Sequence, residues 1–100
     1  MTTVDDLATV RAGDKGDSLI VSVIARDMDA YRCLESLLTA ERVAQHYAPL
    51  VTGIVVRRAT PVLSAFVFML PGLLGGGVTA SPALDGHGKT LGYHLLSLQL

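Results

Sequence analysis

Cysteine is almost missing from this chain. Cys33 is the only one among 100 residues, so no internal disulfide can form and no metal site can be built from thiolates. A single thiol fits a reducing compartment, and its place inside a helical pattern reads as a packed, inert group rather than a nucleophile. Charge is scarce as well: 8 Lys and Arg stand against 9 Asp and Glu, for a net charge of −1. Both signs are scattered, which leaves no electrostatic footprint for nucleic acid or for an anionic membrane. The longest apolar run, Val62 to Leu74, is interrupted by Ser64, Pro71 and Gly72 and is too short to span a bilayer. The opening residues, MTTVDDLATVRAGDKGD, carry two early acids and no apolar segment of the kind a signal peptide needs. A cytoplasmic protein is the expectation.

Catalytic and cofactor signatures are equally thin. The three histidines, His46, His87 and His94, lie apart, and no HxxxH or CxxC pair offers metal-ligand spacing. There is no GxSxG elbow for a nucleophilic serine. A Walker A loop and a GxGxxG dinucleotide fingerprint are both absent. No metal and no cofactor is therefore expected.

What the chain has in quantity is apolar surface, with 50% of its residues hydrophobic. A domain of this length buries only about two thirds of its unfolded surface. It can hold one core, but not a core and a deep substrate cavity together. The apolar excess either fills that core tightly or meets a partner chain.

The pattern along the chain is that of one α+β domain over residues 1–100. Leu7 to Val10 is a short apolar stretch, and Arg11 to Asp17 reads as a constrained loop because its two glycines permit backbone angles other residues avoid. Ser18 to Ala25, SLIVSVIA, is rich in β-branched residues and reads as a buried strand. Asp29 is a suitable helix N-cap, with Tyr31, Leu34, Leu37 and Leu38 on the face behind it. Thr39 restarts the helix, and Val43, Tyr47 and Leu50 continue its stripe. Val51 to Ala59 and Val62 to Leu70 then read as antiparallel neighbours joined at Thr60-Pro61. Lys89 onward is expected to be a helix to about residue 95 that runs into a terminal strand. The order β, α, β, β and a shorter αβ matches the split βαβ arrangement called ferredoxin-like, an antiparallel sheet with helices on one face. Its open face is a natural docking surface.

Three constellations can carry chemistry. In the first, Arg11, Gly13, Asp14, Lys15, Gly16 and Asp17 place two cations and two acids around two glycines. Backbone N–H groups and Lys15 can hold a phosphate or carboxylate while Asp14 or Asp17 orients a base or water. The competing reading is a turn stapled by its own ion pairs, each worth only about 0–1 kcal/mol. In the second, Gly75, Gly76 and Gly77, followed by Thr79, let another backbone, a ligand or a partner come close; a plain turning connection fits equally. The third is Asp85-Gly86-His87-Gly88-Lys89, where His87 has the unperturbed pKa of about 6.5 that suits acid–base work near neutral pH and a polar turn is the bland alternative. His46 and His94 read as surface or capped core contacts rather than ligands.

The runs RAGDKGD at 11–17, LTAERVAQHYAPLVTGIVVR at 38–57 and LGGGVTASPALDGHGKTLG at 74–92 together resemble the AtuA-like ferredoxin-fold domain. That domain is found at the C-terminus of acyclic-terpene-utilisation AtuA-type proteins or as a separate short chain. The resemblance implies association with a large AtuA-type chain, in a family linked to catabolism of acyclic terpenes and other branched acids carried as CoA thioesters. It marks Arg11, Gly13, Asp14, Lys15 and Gly16 in the first motif, and Gly75, Gly76, Gly77, Thr79, Asp85, Gly88 and Lys89 in the last, as a site or an interface. Asp17 stands where Asn is expected in relatives, which adds charge and breaks transfer of any amide-specific contact. Two roles follow. One is an accessory subunit whose loops close a partner's active site. The other is a stand-alone homo-oligomeric enzyme or acyl-CoA-binding domain that uses Asp14, Lys15 and His87.

Overall fold

The computed structural model describes residues 2–73 and 91–100. A short helix α1 (Val4–Leu7) leads into strands β1 (Ala8–Lys15) and β2 (Ser18–Ala25), then helices α2 (Met28–Leu37) and α3 (Ala40–Tyr47), and finally strands β3 (Val56–Thr60) and β4 (Ala65–Leu70). The four strands form one sheet in the order β1-β2-β4-β3, and each neighbouring pair is antiparallel. β2 and β3 therefore run parallel with β4 between them, and the α2–α3 connection crosses from one to the other. This is the split βαβ unit of a ferredoxin-like α+β fold.

The fourth place in the sheet is filled differently from the sequence expectation. Arg11 to Lys15 is not a loop: it extends β1, and only Gly16 and Asp17 make the turn. Gly16 has φ 64°, so a glycine stands at the first central position of a two-residue hairpin connection, where the twist of the flanking strands demands a left-handed residue. The expected C-terminal strand is not in the sheet. Residues 91–94 form a helical turn, Leu95–Ser97 a 3₁₀ turn, and the last residues make a single antiparallel bridge between Thr3 and Gln99. The N-terminal hairpin takes the edge beside β2 because β1 finds an eight-residue partner there, which the short tail does not offer.

The helices follow their caps. Asp27, not Asp29, caps α2, its carboxylate accepting from the Ala30 N–H at 2.8 Å. Thr39 caps α3 as expected, accepting from the Arg42 N–H at 3.1 Å. Tyr31, Leu34 and Leu38 are buried at helical spacing, whereas Leu37 falls on the rim and is partly exposed. Val43 and Tyr47 are buried, but Leu50 lies beyond the end of α3 and is half exposed. Cys33 is half-buried.

The core lies between the helices and one face of the sheet. Leu19, Val21 and Val23 of β2 and Phe66, Phe68 and Leu70 of β4 have no exposed surface and pack with Tyr31, Leu34, Val43 and Tyr47. The ring of Tyr31 stacks on Phe66 at 4.7 Å between centroids. Arg57 on β3 reaches the same layer. Its guanidinium lies 5.2 Å from the Phe66 centroid and donates to the Glu35 and Leu38 carbonyls at 3.0 and 2.9 Å, satisfying orphan acceptors at the end of α2.

The C-terminal segment is tied down by other parts of the fold. The Val4 N–H donates to Leu98 O, and the Leu100 N–H to Thr2 O. Gly92 is buried against Ala12 so closely that a Cβ on it would stand 2.6 Å from the Ala12 Cβ.

Candidate functional site

Strand alternation divides the candidate residues of the first motif between two faces. Thr9, Arg11, Gly13 and Lys15 share a face with Ser18, Ile20, Ser22 and Ile24 of β2, because each pairs directly with one of them. Those β2 positions alternate with the buried Leu19, Val21 and Val23, so this is the face turned away from the helices. Asp14 pairs with Leu19 on the other face, but beyond the edge of the core, where it is exposed. Arg11, Gly13, Lys15, Gly16 and Asp17 are exposed too.

The hairpin tip is not stapled by ion pairs of its own. Among the described residues, no side-chain hydrogen bond or salt bridge joins Asp14, Lys15 or Asp17 to another group. The turn is held by the β1–β2 ladder and by the backbone of Gly16. Gly13 differs from Gly16: its conformation is not left-handed, and a Cβ built on it meets no described atom within 4 Å.

Across the outer face the register lays down two informative rungs. One runs Gly13–Ile20–Met69–Val56 from edge to edge, and the next runs Arg11–Ser22–Val67–Arg58. The first is apolar, with Met69 and Val56 each more than two fifths exposed. The second carries an arginine at each end. No aspartate or glutamate occupies any position of the four strands on this face. Arg58, Met69 and Val56 were not singled out in the sequence; the strand parity that groups them needs the register, which the sequence pattern alone did not fix.

A second cluster unites residues 48 apart. His46 on α3 and His94 stack at 4.1 Å with planes 13° apart. The Nε2 of each contacts the other's backbone carbonyl, at 2.8 Å for His46 and 3.1 Å for His94. Ser97 Oγ stands 3.2 Å from His46 Nε2 and 2.7 Å from the His94 carbonyl. This looks like a serine–histidine pair, but proton accounting excludes nucleophile activation. A carbonyl only accepts, so His46 Nε2 carries the proton and donates to it, while the serine hydroxyl donates to the same oxygen. No basic nitrogen faces Ser97. Below the stack, the Tyr47 hydroxyl donates to the Leu91 carbonyl at 2.6 Å, and burial pushes its pKa well above the ordinary value. Arg42 adds a bond to the Gln99 carbonyl at 3.2 Å. The cluster is a clamp that holds the C-terminal segment on α3.

Open clefts mark the described surface. One of about 370 Å³ is lined by Arg42, Gln45, His46 and Ser97, and another of about 260 Å³ by Val10, Arg11, Ala12 and Tyr93. Among the described residues, no group of three His, Cys, Asp or Glu stands close enough to hold a metal ion. None of their helices is long and apolar enough to cross a membrane. Gly75, Gly76, Gly77, Thr79, Asp85, His87, Gly88 and Lys89 lie outside the described residues, so the structure brings together only the first motif.

An antiparallel sheet of this order with an RAGDKGD hairpin at its edge agrees with the family match, in which the model of the AtuA ferredoxin-like domain covers residues 2–100. The chain belongs to the AtuA ferredoxin-like domain family. No curated protein and no solved structure matches it. In this AtuA ferredoxin-like domain, the RAGDKGD run lies in a β-hairpin that presents Arg11, Gly13 and Lys15 on the outer face.

Proposed function

We propose that this domain is an accessory subunit that associates with a large AtuA-type chain in the catabolism of acyclic terpene or other branched acyl-CoA compounds. Its motif loops contribute to an interface or to a shared active site. The observation that carries this reading is the contrast between its two sheet faces: one buries a core, and the other exposes an apolar rung with no catalytic set beside it among the described residues. The candidate acid–base residues of the first motif, Asp14 and Lys15, are exposed and point to opposite faces of an edge strand. Among the described residues that arrangement does not enclose a substrate, and a second surface closing over it fits the accessory role.

Light scattering on the isolated chain, and again after mixing with a large AtuA-type protein from the same organism, tests the reading. A mixed complex is the expected result. A stable homo-oligomer that ignores the large chain refutes it and supports the stand-alone alternative, for which acyl-CoA binding lost in Lys15→Ala is the confirming measurement.

A further inference from the structure

We infer that the outer face of the sheet is the docking surface, and that its occupant is a protein surface with an apolar centre flanked by carboxylates. This inference rests on the accessory-subunit reading and adds to it the face and the chemistry of the partner.

The apolar centre follows from the inner strands. Ile20 and Met69 stand side by side on β2 and β4, with Ile24 and Val67 beside them, and α1, α2 and α3 all contribute to the core on the other side. The flanks follow from the rung that joins Arg11 on one edge to Arg58 on the other. Three inter-strand steps separate their backbones by about 14 Å. Lys15 adds a third cation on the β1 side. A cation at each edge and no acid at any strand position of the face is complementary to an opposite charge pattern.

The same pattern argues against a second copy of this chain as the occupant. Packed sheets keep their strand directions within about 30° of each other. Where the arginine rungs of two aligned copies superpose, arginine meets arginine, and no carboxylate at a strand position of the face relieves the repulsion. Gly13 supplies an independent sign. It lies on this face at the end of the apolar rung, and its missing side chain leaves open space that the described part of the chain does not fill. A strand glycine in open space admits close approach by another backbone.

Titration calorimetry of the chain against the large AtuA-type protein, with four variants, decides the matter. Arg11→Glu and Arg58→Glu are each expected to weaken binding about tenfold or more and to reduce its dependence on salt. Met69→Glu is expected to weaken it by about a hundredfold, as loss of an interface anchor does. Glu35→Lys, on the exposed side of α2, is expected to change it by less than about twofold. Thermal melts verify folding of each variant; Met69→Ser and Arg58→Gln replace any that fails. Wild type that binds, with all face variants binding equally, overturns this inference alone. Wild type that does not bind overturns the accessory-subunit reading and this inference with it. Capture by vesicles containing phosphatidylserine, or a homodimer broken by Met69→Glu, also overturns it, because the occupant is then a lipid surface or a second copy.

Discussion

Two tyrosines bury their rings in one core and treat their hydroxyls in opposite ways, which makes paired Tyr→Phe variants a direct test of the hydrogen-bond reasoning. Tyr47 is 1% exposed and donates to the Leu91 carbonyl at 2.6 Å. Tyr31 is 3% exposed, and its hydroxyl oxygen is buried with no hydrogen-bond partner among the described residues. Deleting the oxygen of Tyr47 leaves a carbonyl without its donor and is expected to destabilise the fold by about 1–2 kcal/mol. Deleting that of Tyr31 removes a polar group buried without compensation and is expected to stabilise by about 1 kcal/mol, toward the low end of the mutational range because a small void replaces the oxygen. For a domain of this size each kcal/mol moves Tm by roughly 4–8 °C. The assay is urea denaturation of both variants beside wild type, with slopes compared so that a shift in midpoint is a shift in stability. Equal destabilisation by the two substitutions, or a larger loss in Tyr31→Phe, refutes the reasoning.

Other outcomes follow from the same packing. Gly92→Ala sets a methyl group 2.6 Å from the Ala12 Cβ, which is fixed to the backbone of β1, and is expected to cost about 1–3 kcal/mol in denaturant unfolding. Arg57→Met keeps an apolar stem but removes both bonds to the end of α2 and the contact with Phe66, for an expected loss of about 1–3 kcal/mol in the same assay. The raised pKa of Tyr47 makes stability depend on alkaline pH. The folded value lies above the unfolded one, near 10, so this contribution is complete below about pH 10 and is lost as pH rises further. The stability gap between wild type and Tyr47→Phe is therefore expected to narrow above about pH 10, and a gap that stays constant refutes the assignment.

How far the sequence disclosed this depends on which force dominates each segment. SLIVSVIA and the 65–70 run are strands because β-branched and aromatic residues meet a fully buried face, and that signal is local. The helix break at Thr39 is equally local, since a hydroxyl cap acts within three residues. The strand in Arg11 to Lys15 was hidden because glycine and aspartate have poor strand propensity. Its formation is decided by an eight-residue ladder with β2, and its inward positions, Ala8, Val10 and Ala12, are too small to advertise alternation. The tail was ambiguous because Leu91, Leu95 and Leu98 fit a helix while Leu96, Leu98 and Leu100 fit a strand. Contacts with Thr2, Val4 and α3, all distant in sequence, resolve it as turns with one bridge. At the site, the sequence located the hairpin residues but not Arg58 and Met69. A face shared by four strands is a product of register, and no single strand contains it.

The two glycines of the hairpin separate what the fold requires from what it does not. Gly16 turns the chain at φ 64°, where an L side chain is strained, so Gly16→Val is expected to cost about 1–2 kcal/mol. Gly13 is in extended backbone with open space at its Cβ, and valine is a better strand former than glycine, so Gly13→Val is expected to leave stability unchanged or raise it by up to about 1 kcal/mol. If the outer face receives a partner backbone at Gly13, the same substitution weakens the complex while the isolated domain melts no lower. Gly16→Val shows the reverse, a lower melt with affinity kept in the folded fraction. A Gly13→Val domain that is as stable as wild type and binds the large chain as tightly removes Gly13 from the interface and leaves the glycine without a role that the described structure supplies.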